Sequence, residues 1–225
     1  MKRFGVATAI VVLAVGALSA EPPKLSVKKE RIDLPEALTE ALRPEFEAEA
    51  FTIRDGDAKV LSIRFRKAIP IKASREQIEN GLTYREIPEG TLVGLVEFDK
   101  AFVDYRKQAI PVGVYTLRIV VQPDTGDHRD TAPYADFVLL SPVADDTAVE
   151  PLELKDLVKR SLKSTAGDHP GVMLLYPHFG KDTEAKLVAK GDGVQCLQLR
   201  RAVKADGKEA TLGFSIVVAG FSKMR

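Results

Sequence analysis

Asp55-Gly56 and Asp206-Gly207 each stand between long segments in which apolar and polar residues alternate. Asp-Gly favours the left-handed backbone of a two-residue turn, so this arrangement is the strongest short-range signal for a β-hairpin. In EFEAEAFTIRDGDAKVLSIRFR (45–66), a turn centred on Asp55-Gly56 sets Phe46 against Phe65, Ala48 against Ile63 and Ala50 against Leu61. The other face then pairs Glu47 with Arg64 and Glu45 with Arg66, opposite charges worth ~0.2–1 kcal/mol per pair. In VQCLQLRRAVKADGKEATLGFSIVVAG (194–220), a turn at Asp206-Gly207 sets Leu199 against Phe214, Leu197 against Ile216 and Cys196 against Val217. A slip of one residue in either hairpin would mix its faces.

Five further segments have strand character: 91–98, 114–122, 135–141, 172–176 and 185–189. In 114–122, Tyr115, Leu117, Ile119 and Val121 alternate with Thr116, Arg118 and Gln122, the period of a half-buried strand. Several of the others carry bulky apolar residues on both sides, and two packed sheets bury such strands better than one open sheet. Three short helices are expected. Residues 33–42 space Leu34, Ala37, Leu38, Ala41 and Leu42 helically before Pro44. Residues 74–80 open on a capping box of Ser74 and Gln77, and 152–164 align Leu154, Leu157, Val158 and Leu162. The helices do not alternate with the strands as a parallel sheet requires. The expected fold is mainly β, an antiparallel β-sandwich capped by two or three short helices.

The N-terminus reads as a separate element. Lys2 and Arg3 precede a charge-free apolar stretch from Phe4 to Ala20 that ends in small residues, the pattern of a secretory signal peptide cut after Ser19 or Ala20. The run is short for a membrane span, so no span is expected once it is removed. The organisation expected is a signal peptide at 1–20 and one β-sandwich domain over 21–225, with 147–167 as a candidate helical insertion; the location is secreted or periplasmic.

Loss of Lys2 and Arg3 takes the basic residues from 33 to 31, against 32 acidic ones. A chain so balanced lacks the positive field that replaces counterions on nucleic acid, so no nucleic-acid partner is expected. The basic spots at 27–29 and 199–204 read as solvated strand faces. Cys196 is the only cysteine, so no internal disulfide can form and the core must hold the fold. With no histidine near it in sequence, Cys196 reads as a packed, unreactive thiol.

Chemistry-bearing motifs are sparse. TGDHRD (125–130) and AGDHPG (166–171) share Gly-Asp-His and use two of the three histidines. The first lies in a polar connection between strands, where Gly126, Asp124 and Asp127 suit a turn. The second lies at a helix exit, where Gly167 ends the helix and Pro170 holds His169 extended. Their contexts differ, so both read as turns. The strand 172–176 also separates His169 from His178 by ~16 Å, too far to share one zinc ion. No cofactor is expected on this reading. The alternative is a Ca or Zn site drawing on Asp124, Asp127, His128, Asp130 and His169, with oxygen ligands suited to calcium but without the loop pattern of an EF-hand. No G-x-S-x-G, H-E-x-x-H or phosphate-binding glycine loop occurs. Without tryptophan, a sugar-stacking platform would fall to Tyr84, Tyr105, Tyr115, Tyr134 or Tyr176, of which Tyr115 and Tyr176 read as core.

The segment IPVGVYTLRIVVQPDTGDHRDTAPYADFVLLSP (110–142) resembles a family of uncharacterised exported bacterial proteins. That family has a P-x-G-x-Y-T-L strand, a G-D/N-H loop and a D-F-x-L-L strand. Pro111, Gly113, Tyr115, Thr116 and Leu117 fit the first element, Gly126, Asp127 and His128 the second, and Asp136, Phe137, Leu139 and Leu140 the third. GDHPGVMLLYP (167–177) is similar to the family's helix-exit segment. The resemblance implies an exported β-rich domain and no particular reaction. The expected function is a non-enzymatic binding module for an envelope protein or small ligand. The alternatives are a metal-dependent hydrolase or metal-binding protein using the 124–130 loop, and a structural subunit offering an edge strand.

Overall fold

A computed structural model describes residues 24–123, 131–167, 169–205 and 207–222. Its strands are β1 (Leu25–Arg31), β2 (Glu49–Asp55), β3 (Ala58–Phe65), β4 (Ile69–Pro70), β5 (Leu92–Phe98), β6 (Phe102–Val103), β7 (Ala109–Ile110), β8 (Gly113–Val121), β9 (Asp136–Pro142), β10 (Gly171–Leu174), β11 (Lys186–Gly191), β12 (Val194–Ala205) and β13 (Lys208–Ala219). The helices are α1 (Arg75–Asn80) and α2 (Leu154–Ser161). Seven strands form one antiparallel sheet in the order β1-β2-β3-β5-β8-β9-β10. A second sheet runs β11-β12-β13, with β4 added parallel to β12. The bridge between Leu175 and Ile216 ties the end of β10 to β13, so the sheets meet along one seam.

The inward faces of both sheets share one core. Ile63 and Phe65 of β3, Leu117 of β8 and Leu140 of β9 meet Leu197 of β12 and Phe214 of β13. Phe214 lies edge-on to Phe65 with ring centroids 5.4 Å apart, and to Tyr84 at 5.3 Å. Each such side chain contributes about 1.5–3 kcal/mol when removed from water. The fold is the mainly β, antiparallel, two-layer architecture that the alternation implies.

The C-terminal hairpin has the expected register: Leu199 faces Phe214, Leu197 faces Ile216 and Cys196 faces Val217. Cys196 is fully buried. Helix α1 carries the expected capping box, with Ser74 Oγ accepting from the Gln77 N–H and Gln77 Oε1 accepting from the Ser74 N–H. Helix α2 continues into a 3-10 turn over Leu162–Ser164.

Four expectations are corrected. First, the 45–66 hairpin turns through Gly56 and Asp57, so Phe51 faces Ile63 and Ile53 faces Leu61, and a bulge follows Ile53. Gly56 has φ +57° while Asp57 stays out of the left-handed region, which places glycine first in the turn, as a type II′ turn requires. Phe46 consequently pairs with Arg66, not Phe65. The Glu45–Arg66 ion pair still forms, at 2.7 Å, but the Glu47 carboxylate goes to Arg201.

Second, 33–42 is a run of separate turns and not a helix. Leu38 and Leu42 donate to the carbonyls three residues back, and the Arg43 guanidinium holds the Pro35 and Glu36 carbonyls. Leu38, Leu42 and Phe46 still share one apolar cluster with Leu92 and Leu95. Third, β8 is buried on both faces, and Thr116 and Arg118 are fully enclosed. Fourth, Arg201 in the 199–204 basic spot is buried against the Phe65 ring, not solvated. The 1–20 segment expected to be a signal peptide lies outside the described residues.

Candidate functional site

Cross-strand register builds the floor of the site. On the outward face of the seven-stranded sheet, Val120 pairs with Phe137, and Leu139 lies between Arg118 and Val172. Val120, Phe137, Leu139 and Val172 therefore form a contiguous apolar surface across β8, β9 and β10. Helix α2 lies over its edge with Leu157 buried beneath and Leu154 and Val158 half-exposed. The groove left between this helix and the His169–Pro170 segment has a volume of about 340 Å³. Arg106 and Gln122 complete the wall.

Two buried carboxylates hold these walls. Arg118 projects from the sheet's outward face and pairs bidentately with Asp146, at 2.6 Å from Nε and 2.9 Å from Nη2. Its remaining donors reach the carbonyls of Gly90, Ala148 and Glu150. Thr116 donates to the same Asp146 carboxylate at 2.6 Å, and Arg160 of α2 approaches it at 3.5 Å. Arg118 thus fastens the segment leading into α2 onto the sheet. Backbone clearance completes the attachment: a Cβ on Gly171 would lie 2.3 Å from Ser164 Oγ, so only glycine lets the helix exit seat on β10.

On the opposite wall, Asp104 is fully buried. Its carboxylate accepts from the N–H groups of Arg106 (2.9 Å), Gln108 (2.8 Å) and Val172 (3.2 Å), and from the Gln108 side chain (2.9 Å). Gln108 Nε2 also donates to the Pro170 carbonyl at 3.0 Å. Burial raises the Asp104 pKa against these hydrogen bonds, which favour the anion. One carboxylate therefore ties the turn bearing Arg106 and the segment bearing His169 to β10. The groove is preformed.

A second cavity of about 210 Å³ lies at the other end of β10, lined by Tyr84, Arg85, Asp136, His178, Phe179 and their neighbours. Its tyrosine hydroxyl is engaged in the fold. The Tyr84 hydroxyl donates to the Tyr176 carbonyl and accepts from the Ser215 N–H, both at 2.9 Å, and burial raises its pKa. Asp136 makes an ion pair with Arg85 at 3.2 Å that lacks hydrogen-bond geometry, and burial raises its pKa. Burial, followed by Arg200, Lys190 and Lys186, lowers the His178 pKa.

Of the metal candidates, Asp124, Asp127, His128 and Asp130 lie outside the described residues. His169 lines the groove, whereas His178 lines the second cavity, so the structure does not bring these two together. Among the described residues, no group of three or more His, Cys, Asp or Glu side chains could hold a metal ion. Tyr84, Tyr105 and Tyr115 are buried. Tyr134 and Tyr176 meet edge to face at 4.9 Å, packing ring on ring. Arg106, Asp104 and the Arg118–Asp146 pair were not anticipated. Arg118 was read only as one of the polar residues, with Thr116 and Gln122, alternating along 114–122.

Fold and groove together define a class, a two-layered β protein with an apolar groove on the outside of its larger sheet. Compared with known proteins, the chain matches no protein-family model, no curated protein and no solved structure. Among the described residues, no helix is long and apolar enough to cross a membrane.

Proposed function

We propose that this is an exported, non-enzymatic binding module of the cell envelope that receives an apolar group in the groove between α2 and β8–β10. The observation carrying this reading is that groove, with its floor of Val120, Phe137, Leu139 and Val172 and walls held by Arg118–Asp146 and Asp104. Small-molecule sites are usually preformed, mostly apolar concavities of ~300–1,000 Å³ with a few placed polar groups. The 340 Å³ groove, with Arg106, Gln122 and His169 on its rim, fits that description. Export is supported by the basic, apolar and small-residue succession of 1–20 and by the resemblance over 110–142.

The test is titration with an uncharged apolar dye, N-phenyl-1-naphthylamine, followed by fluorescence. Saturable binding at one site is expected, and Val158→Trp, which fills the groove from the half-exposed face of α2, should abolish it without lowering the melting temperature. Dye binding unaffected by Val158→Trp would refute the assignment.

A further inference from the structure

We infer that the ligand of this groove is a small amphipathic monocarboxylate, with its apolar body on the sheet floor and its carboxylate on the Arg106 guanidinium. The inference rests on the groove being a binding site. What it adds comes from Arg106. Every other arginine among the described residues that is buried or half-buried hydrogen-bonds or ion-pairs through its guanidinium. Arg106 is half-buried on the groove wall, yet no described carboxylate or carbonyl holds its guanidinium. Its backbone, in contrast, is fixed. The Arg106 N–H is bound by Asp104, and the turn closes through Lys107 at φ +67°, whose N–H meets the Asp104 carbonyl at 3.0 Å.

An arginine whose backbone is held in place, half-buried and without a partner among the described residues beside an apolar floor, is complementary to a carboxylate carried on an apolar body. Its planar fork donates to both carboxylate oxygens at once, which an ammonium cannot match. The occupant is small because 340 Å³ lies at the low end of small-molecule sites. The Asp104 carboxylate does not compete for the guanidinium, since it is turned onto the N–H groups of Arg106, Gln108 and Val172.

The experiment compares decanoate, decanol and decylamine by calorimetric titration of the full chain, below their micelle-forming concentrations, with wild type, Arg106→Gln and Arg106→Lys. Decanoate is expected to bind at least about tenfold more tightly than decanol, as a charge-assisted hydrogen bond in a partly dry site allows. Arg106→Gln should erase that preference by weakening decanoate to the level of decanol, and Arg106→Lys should keep only part of it. Equal binding of decanoate and decanol by wild type, or preference for decylamine, would overturn the head-group assignment while leaving the groove reading intact. Binding of none of the three would overturn both. A dimer seen by sedimentation that excludes the alkyl probes would give the groove to a second copy of the chain and overturn the inference.

Discussion

Arg118 and Asp146 form a fully buried, bidentate ion pair on the outward face of the larger sheet, 2.6 and 2.9 Å between partners. The pair joins a strand to the segment that delivers α2, so the groove wall depends on it. Removing one partner leaves an uncompensated buried charge, which costs about 3–5 kcal/mol. Arg118→Met and Asp146→Asn are each expected to destabilise by about that amount in urea unfolding. The double variant Arg118→Met/Asp146→Asn should lose less than the sum, because neither charge is stranded. Additive losses would mean that the two residues act independently.

Gly171 tests the seating of the helix exit. An added Cβ would meet Ser164 Oγ at 2.3 Å and Ile110 Cδ1 at 2.9 Å. Gly171→Ala should therefore cost about 1–3 kcal/mol through overpacking. Adding Ser164→Ala should recover part of the loss, by removing the nearer obstacle. Denaturant melts of the wild type and these two variants decide this.

Burial, and no neighbouring cation, dominates the environment of Cys196. Its thiol pKa is raised to about 11, with hydrogen bonding to Ser215 and the charge of Lys190 opposing only in part. At pH 8 the folded protein should be inert to a disulfide reagent such as dithionitrobenzoate and should react only after unfolding. Fast stoichiometric reaction of the native protein would contradict the burial.

His178 should make stability depend on pH below neutrality. Its folded pKa is lowered, first by burial and then by Arg200, Lys190 and Lys186, against an unfolded value of ~6.5. Below about pH 6.5 the unfolded chain therefore binds a proton that the folded chain refuses, and stability falls as pH drops until the folded imidazole also titrates. His178→Gln should flatten that part of the melting-temperature profile between pH 7.5 and 5. An unchanged slope would show that the imidazole is not desolvated.

What could be read beforehand was set by local chemistry. The 194–220 hairpin was legible because its alternation and its Asp-Gly turn agree on one register. At 55–57 the spelling Asp-Gly-Asp allows two turns, and the bulge after Ile53 moved the pairing, so the faces around Phe46 were assigned wrongly. Residues 33–42 mimic a helix because Leu34, Leu38 and Leu42 recur every four residues. Successive turns, held by Arg43, point them at the same cluster. The groove was illegible for a different reason. Its floor combines alternate residues from three strands with one face of α2, and nothing local reveals that 145–164 folds back over β8–β10. Among its lining residues, only His169 was singled out beforehand as a candidate ligand.

The decisive measurement is a methyl-labelled NMR titration of the native chain with N-phenyl-1-naphthylamine. Saturable shifts confined to Val120, Leu139, Val158 and Val172, with Leu199 and Ile216 of the inner core unmoved, are the expected result. Shifts clustered instead around Leu82 in the Tyr84–His178 cavity, or no saturable shifts at all, would contradict the assignment of the groove.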